Sequence, residues 1–243
     1  MKDFIKYGII GISCIVCAIV LGNAITYVFK SQHTISVTGL GEENFTSDLI
    51  IWTSTISVES NNQQQGYAVL EQAQKKVAAF LTKKGIPQEA VKFNFVNVSK
   101  RYESIYNDNG NWVGQRMVGY QLQQEFTIES NDVSTVEQVS REISSLIAEG
   151  VNLDIMQPQY YCTNLDSIKL QLIEKASSDA YQRAQKIAEN AGAKLGKANN
   201  VKLGVFQITS ATGEEEYSYG GTFNTSSKDK KGRITVRAEY LIK

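Results

Sequence analysis

The sequence predicts an α+β protein in which an antiparallel sheet carries its helices on one face. Two observations predict this class and the helix that precedes it. Segments with the two-residue apolar period of a strand alternate, over residues 47–164, with segments that have the period of a helix. A long uncharged run near the N-terminus adds one helix of a different kind. The elements below are taken in chain order.

The uncharged run covers residues 7–29 and holds no Asp, Glu, Lys, Arg or His. As a helix it would be roughly 35 Å long, enough to cross a bilayer core of about 30 Å. Lys2 and Lys6 precede it, so the positive-inside rule places residues 1–6 in the cytoplasm. We expect a single-pass signal-anchor in the inner (cytoplasmic) membrane, with residues 34–243 extracytoplasmic or periplasmic. The alternative is a signal peptide cleaved near "GNA" at residues 22–24, which would release the domain into the periplasm.

The exported part begins with a predicted strand, "TISVTG", followed by a turn at "GEEN". Residues 47–60 then alternate between apolar and polar, which puts Trp52 and Ile56 on one face of a long strand. Asn61 or Asn62 offers the N-cap of a first helix, and this helix is expected to end at Gly85.

Residues 91–102 and 118–129 are predicted to pair as a hairpin whose tip lies around Gly110. A second helix is expected to start at Asn131 or Asp132, with its apolar positions through Ile147 on one side, and residues 151–164 are a predicted strand. The order strand, helix, strand, strand, helix, strand is the split βαβ pattern of a ferredoxin-like βαββαβ core.

A third helix from Asp166 to Gly192 and two last strands, at residues 201–209 and 233–242, are expected to extend this core. Residues 212–232 between those strands are polar and rich in Gly and Ser, which predicts a mobile loop. The other interpretation is a segment that becomes ordered against a neighbouring subunit.

Charge and residue types argue against several function classes. Lys+Arg and Asp+Glu are both 25, so the chain lacks the positive charge of a nucleic-acid binder. Its single histidine, His33, adjoins the predicted membrane segment, which argues against histidine-based triads and multi-histidine metal sites. Cys162 is expected to be a buried small hydrophobe. We therefore predict no enzyme, with no catalytic, cofactor-binding or metal-binding residues and no cofactor.

Aromatic residues cluster around the predicted hairpin. We interpret Tyr102, Tyr106, Trp112 and Tyr120 as a candidate interface, because Tyr and Trp are enriched where protein surfaces meet. The alternative is ordinary cross-strand packing.

Several strings, in this order, resemble the SIMPL-domain family of bacterial envelope proteins, which includes a periplasmic immunogen and an oxidative-stress defence protein. They are "ISVTGLGE", "SDLIIWTSTISVES", "VGYQLQQEFTIES", "IAEGVN", "DAYQRAQKIAENAGAKLGKANNVKLG" and "RITVRAEYLI". The resemblance covers residues 34–243. It implies an α+β domain without an established catalytic motif, an i,i+4 pair of Asp179 with Arg183 in the third helix, and self-association, since some members form ring- or channel-like oligomers.

Two functions follow. The first is a non-enzymatic, membrane-anchored envelope protein that forms homo-oligomers as an interaction or scaffold protein, with a link to oxidative-stress defence. The second is a periplasmic domain that binds a small molecule or peptide, with residues 212–232 as its lid.

Overall fold

The computed structural model describes residues 11–13, 15–23, 33–213 and 218–242. From His33 onward the chain forms ten strands and four α-helices within these residues. In chain order they are β1 (Thr34–Thr46), β2 (Leu49–Ser60), α1 (Gln63–Lys83), β3 (Val91–Tyr106), β4 (Trp112–Ser130), α2 (Val133–Glu142), α3 (Ser145–Ala148), β5 (Leu153–Ile155), β6 (Gln159–Tyr161), α4 (Leu165–Asn190), β7 (Leu195–Leu203), β8 (Gln207–Ser210), β9 (Thr222–Phe223) and β10 (Asp229–Ile242).

The N-terminal apolar segment is described only in part. Residues 11–13 and 15–23 are helical, and their side chains are exposed. The other residues of the predicted membrane segment, 7–10, 14 and 24–29, lie outside the described residues. In the described part of the chain, no helix combines the length and the apolar character needed to cross a membrane.

The first sheet has the strand order that the split βαβ pattern requires. β3 pairs with β4, β4 with β2, and both β5 and β6 pair with the other edge of β2, all antiparallel. The single strand predicted over residues 151–164 is wrong. Two three-residue strands replace it, and Pro158 between them lacks the N–H that a continuous ladder would need.

Helix α1 begins where the sequence predicts it. The side-chain oxygen of Asn62 accepts hydrogen bonds from the N–H groups of Gln64 and Gln65, at 2.8 and 3.2 Å. Leu70 and Val77, spaced to share one side of the helix, are buried against the sheet.

The main core lies between these helices and one face of the first sheet. The ring of Trp52 meets the ring of Phe126 edge to face, with centroids 5.8 Å apart. Both side chains are fully buried, and each such burial contributes about 1.5–3 kcal/mol. The indole N–H of Trp52 donates to the carbonyl of Met156 at 2.9 Å, so its one polar atom is satisfied.

The second predicted helix is interrupted. Asp132 caps α2 by accepting from the N–H of Thr135 at 3.1 Å, but the helix ends at Glu142 and the short α3 follows. Ile147 was predicted on the buried side and is 51% exposed. The break after Ile143 rotates the following residues, so the helical spacing no longer holds across it.

A second sheet corrects the prediction of one extended sheet. Its order is β1-β10-β8-β9, with β7 also paired to β10. The predicted turn at "GEEN" is wrong, because β1 continues through it to Thr46. The strand predicted at residues 201–209 is two strands, β7 and β8. The last strand begins at Asp229 rather than at residue 233, and Thr222–Phe223 form β9.

Among the described residues of the predicted loop, one charged side chain is buried. Lys230 is 1% exposed, and its Nζ donates to the carbonyls of Asn224 and Ser227, at 2.5 and 2.8 Å. Such bonds offset the cost of removing an ammonium group from water. The mobility of residues 212–232 stays a prediction.

The chain divides into two compact units. One comprises Met1–Leu40, Ala176–Gly204 and Val236–Lys243, and the other Gly41–Lys175 and Val205–Thr235. The main core belongs to the second unit. The first unit has its own small core. In it, Ala180 and Ala184 of α4 are buried with Val37 of β1 and with Ala238 and Tyr240 of β10.

Close packing in the first unit depends on Gly39. A Cβ added there would lie 2.1 Å from the carbonyl oxygen of Ala176 and 2.7 Å from the Cβ of Ala180. Only a residue without a side chain allows the alanine face of α4 to approach β1 this closely.

Candidate functional site

The four predicted interface residues all lie on the hairpin of β3 and β4, in the second unit. The last pair between β2 and β4 joins Ser60 to Tyr120. Beyond that pair, β3 is the one described strand bonded to β4, from Arg101 opposite Gly119 to Tyr106 opposite Trp112. We call residues 101–119 the hairpin tip. It is a two-stranded ribbon about 20 Å long by strand geometry.

The turn of the tip is held by polar contacts of Asn107. Its Oδ1 accepts from the N–H groups of Asn109 and Asn111, at 3.1 and 2.9 Å, and its carbonyl accepts from Gly110 at 2.9 Å. Gly110 has φ 78°, a conformation that glycine adopts without strain. The "NDNGN" motif therefore forms the turn that the sequence predicts, while the two strands run further toward it than predicted.

One face of the tip is aromatic. Tyr102 is paired with Met117, and Tyr106 with Trp112. Tyr102 and Tyr106 are four positions apart on β3 and so share a face, and residues paired across two strands share a face as well. Met117 and Trp112 therefore lie on the same face as their partners, with a one-residue register shift in β4 between them. We call these four side chains the aromatic face. Tyr102 is 54% exposed, Tyr106 62% and Trp112 60%.

The opposite face of the tip, which we call the charged face, carries two ion pairs and also Ile105, which is 42% exposed. Arg101 contacts Glu59 of β2 at 2.5 Å, and Arg116 contacts Glu103 across the two strands at 2.9 Å. Each of these arginines therefore has an acidic partner, whereas the apolar surface of the aromatic face remains exposed to solvent.

Tyr120 differs from the other three. It sits where β2 still pairs with β4, it is only partly exposed, and it packs against the main core. The structure thus brings Tyr102, Tyr106 and Trp112 together and assigns Tyr120 to packing. Sequence reasoning missed Met117, which is 41% exposed; the pairing across the hairpin would have revealed it.

Gly119 sets the junction between the sheet and the tip. Its φ is 149°, and a Cβ there would lie 2.6 Å from the carbonyl oxygen of Ser60. The end of β2 can therefore reach β4 only because residue 119 has no side chain. The register of the hairpin shifts by one residue just beyond it.

The described part of the chain holds no cluster of metal-ligating side chains. Over residues 11–13, 15–23, 33–213 and 218–242, no three His, Cys, Asp or Glu side chains could hold a metal ion. His33 is exposed at the start of β1. Cys162 is partly buried, and this burial raises the pKa of its thiol, which disfavours the reactive thiolate.

The Asp179–Arg183 pair that the resemblance implies is present. Arg183 Nε donates to the carboxylate of Asp179, with distances of 3.0 Å to Oδ1 and 2.9 Å to Oδ2. The backbone N–H of Leu40 donates to the same carboxylate at 2.8 Å. The bond from Arg183 holds the pKa of Asp179 below its usual value, and the pair ties α4 to β1 within the first unit.

Comparison with known proteins identifies the domain but assigns no activity. No curated protein matches the chain. The model of one family, SIMPL, described as a protein of unknown function (DUF541), matches residues 35–240. This match runs from β1 into β10 and covers most of the chain. The protein therefore belongs to the SIMPL family.

Proposed function

We propose that the protein is a non-enzymatic component of the cell envelope that self-associates through the aromatic face of its hairpin tip and serves as an interaction or scaffold protein. Its N-terminal apolar segment would anchor it in the cytoplasmic membrane. The observation that carries the proposal is the exposure of Tyr102, Tyr106 and Trp112 on one face of a ribbon that no other described strand supports.

Burial of these rings would favour association. Removing apolar surface from water is worth about 25 cal/mol per Å², and Tyr and Trp are the residues that most often dominate interface energies. Two copies could meet by the same face, as twofold interfaces require. The ion pairs of the opposite face would remain at the rim, where water can still reach them.

The oligomeric state tests this proposal directly. Light scattering coupled to size-exclusion chromatography of the full chain in a mild detergent should give a multiple of one chain's mass. The double variant Tyr106→Ser/Trp112→Ser should shift the protein toward a single chain. A matched control, Glu103→Ser/Arg116→Ser, alters the charged face and should leave the mass unchanged.

A single chain at high concentration in the unmodified protein would contradict self-association. Equal effects of the two double variants would contradict the assignment to the aromatic face. Circular dichroism of each variant distinguishes loss of association from loss of the fold.

Membrane anchoring is supported by the segment that precedes β1. Ile12, Ile19 and Leu21 are 66%, 57% and 61% exposed, so the described protein does not cover them. A membrane would bury these side chains. A C-terminal alkaline phosphatase fusion, which is active only outside the cytoplasm, should be active with the full chain and inactive after deletion of residues 1–29. Activity of a cytosol-dependent reporter instead would contradict export.

A link to oxidative-stress defence rests on the family resemblance alone. It predicts that a strain lacking this protein is more sensitive to hydrogen peroxide, and that the Tyr106→Ser/Trp112→Ser variant restores resistance less well than the unmodified chain. Unchanged peroxide sensitivity in the deletion strain would remove this link without affecting the proposed self-association.

A further inference from the structure

A pocket lies on the face of the first sheet that is turned away from the main core. Ile56 and Leu122 point into the core, so the residues that alternate with them in β2 and β4 lie on the other face. The pocket has a volume of about 220 Å³. Its lining comes from three neighbouring strands: Thr55 of β2, Asn94, Phe95 and Asn97 of β3, and Gln123 and Glu125 of β4.

A β-bulge directs Phe95 into this pocket. The register between β3 and β4 shifts between Phe93 and Val96. Two residues, Asn94 and Phe95, therefore stand opposite Glu125 alone. In regular alternation their side chains would point to opposite faces, and Phe95 would follow Phe93 into the core. The extra residue of the bulge allows both side chains to line the pocket, and Phe95 is 85% exposed.

The bulge is held by a buried amide. Gln124 is 7% exposed, and its Nε2 donates to the carbonyl of Asn94 at 3.0 Å. Its Oε1 is buried and accepts no hydrogen bond from any described residue. A buried acceptor without a partner destabilises the fold, and an aromatic ring left in water contributes no burial energy. Local features that reduce stability in this way are typical of binding sites, and both of these present Phe95 on the outer face of the sheet.

Neutral hydrogen-bonding groups surround the ring of Phe95. The amides of Asn97 and Gln123 each offer two N–H donors and a carbonyl acceptor, and the hydroxyl of Thr55 both donates and accepts. No hydrogen bond links these three side chains to other described residues, so they are available to a ligand. The one titratable side chain of the lining, Glu125, already accepts from Nδ2 of Asn94 at 2.6 Å.

Charged side chains elsewhere on this face are paired with each other. Nζ of Lys92 lies 3.9 Å from the carboxylate of Glu129, and Arg101 contacts Glu59 at 2.5 Å. The pocket therefore lacks the cations that would bind a phosphate or carboxylate group. The ligand that matches it is uncharged, carries many hydroxyl groups and has an apolar face.

We propose that this pocket binds one ring of a neutral, β-1,4-linked glycan. A pyranose ring has C–H groups on its face and hydroxyl groups around its rim. The electron-rich face of Phe95 would attract the C–H groups, while the amides of Asn97 and Gln123 would bond with hydroxyl groups of the rim. The pocket is smaller than the roughly 300–1,000 Å³ of sites that enclose a whole ligand, as expected for a site that holds one ring of a longer chain.

Cellohexaose is a defined probe of this site. Isothermal titration calorimetry of the full chain in a mild detergent should show saturable binding of cellohexaose. A glucuronic acid hexamer of the same linkage, in which a carboxylate replaces every C6 hydroxymethyl group, should bind at least about tenfold more weakly. The reason is that its carboxylates would be placed against Glu125.

Three variants and one control locate the site. Phe95→Ala removes the ring and should weaken binding about five- to tenfold, the scale of one aromatic contact, whereas Phe95→Trp keeps an aromatic face and should retain affinity. Gln123→Ala should weaken binding about fivefold through the loss of hydrogen bonds. Tyr67→Ala removes an exposed aromatic residue of α1 and should leave affinity unchanged. Thermal unfolding of each variant checks that the fold is intact.

Two sources share this ligand chemistry, an insoluble cell-wall glycan and a free oligosaccharide. Sedimentation of the full chain with isolated, peptide-free wall glycan distinguishes them. Co-sedimentation that cellohexaose competes away indicates the wall glycan, and binding of cellohexaose without co-sedimentation indicates the free oligosaccharide.

Three outcomes would overturn the proposal: no saturable binding of cellohexaose, equal affinity for the glucuronic acid hexamer, or affinity unaltered by Phe95→Ala in folded protein. A fourth is that Phe95→Ala converts an oligomer to single chains while no glycan binds; Phe95 would then contact a second copy of this chain. None of these results depends on the aromatic face of the hairpin tip.

Discussion

The two ends of one hairpin behave in opposite ways. At its base, Phe93 is paired with Phe126 and packs against the main core, and Phe126 and Leu122 are fully buried. At its tip, the same two strands carry Tyr106 and Trp112 more than half exposed. The residue types are similarly apolar at both ends. What differs is whether β2 and the helices cover them, so the base stabilises the fold and the tip is free to serve binding.

The chain carries a natural probe of each end. It has two tryptophans, and Trp52 is fully buried beside the base while Trp112 is 60% exposed at the tip. Fluorescence of the unmodified protein can therefore follow both regions.

The largest contrast is expected from truncating one aromatic residue at each end. Phe126→Ala should lower the free energy of unfolding by about 3–5 kcal/mol, because it removes a fully buried ring and leaves a cavity against Trp52. Trp112→Ala should change it by less than about 0.5 kcal/mol, as an exposed position does. Urea unfolding followed by far-UV circular dichroism measures both. Similar losses for the two variants would show that the tip is part of the core.

An intermediate effect is expected at the junction. Gly119→Ala places a Cβ 2.6 Å from the Ser60 carbonyl at a φ of 149°, and should cost about 2–3 kcal/mol of stability. Gly114→Ala is the matched control. Its φ is 157°, but a Cβ there meets no atom within 4 Å, so the loss should be nearer 1 kcal/mol. An equal loss at both glycines would mean that contact with β2 does not define the start of the tip.

The smallest effect is expected on the charged face. Glu59→Gln removes the acidic partner of Arg101, and both side chains are about half exposed. Surface pairs of this kind contribute less than about 1 kcal/mol and are screened by salt. The loss of stability should therefore shrink between low and high ionic strength. A larger loss of stability that salt does not change would show that this ion pair stabilises the base of the hairpin.

Much of the first sheet and its first helix could be predicted from local pattern. The alternation around Trp52, the cap at Asn62 and the turn at Gly110 each depend on residues near one another in the chain, and each is confirmed. The pairing of β1 with β10 joins residues roughly two hundred positions apart, and no local period encodes which strands become neighbours. The second sheet was missed for this reason.

The candidate site divides in the same way. Aromatic composition selected four residues as a candidate interface. Tyr102, Tyr106 and Trp112 are exposed, whereas Tyr120 packs against the core. The difference is set by where β2 ends, at Ser60. The predicted hairpin strands stopped at residue 102 and began again at residue 118, so sequence reasoning could not show that the ribbon continues unsupported to Trp112.

Acrylamide quenching of the unmodified full chain tests the central claim most directly, because Trp52 is inaccessible and the quenching reports Trp112 alone. If the aromatic face mediates self-association, quenching should fall as the protein concentration rises, in step with the increase in mass seen by light scattering. If the mass increases while Trp112 stays equally accessible, or if neither changes, the aromatic face does not join copies of this protein.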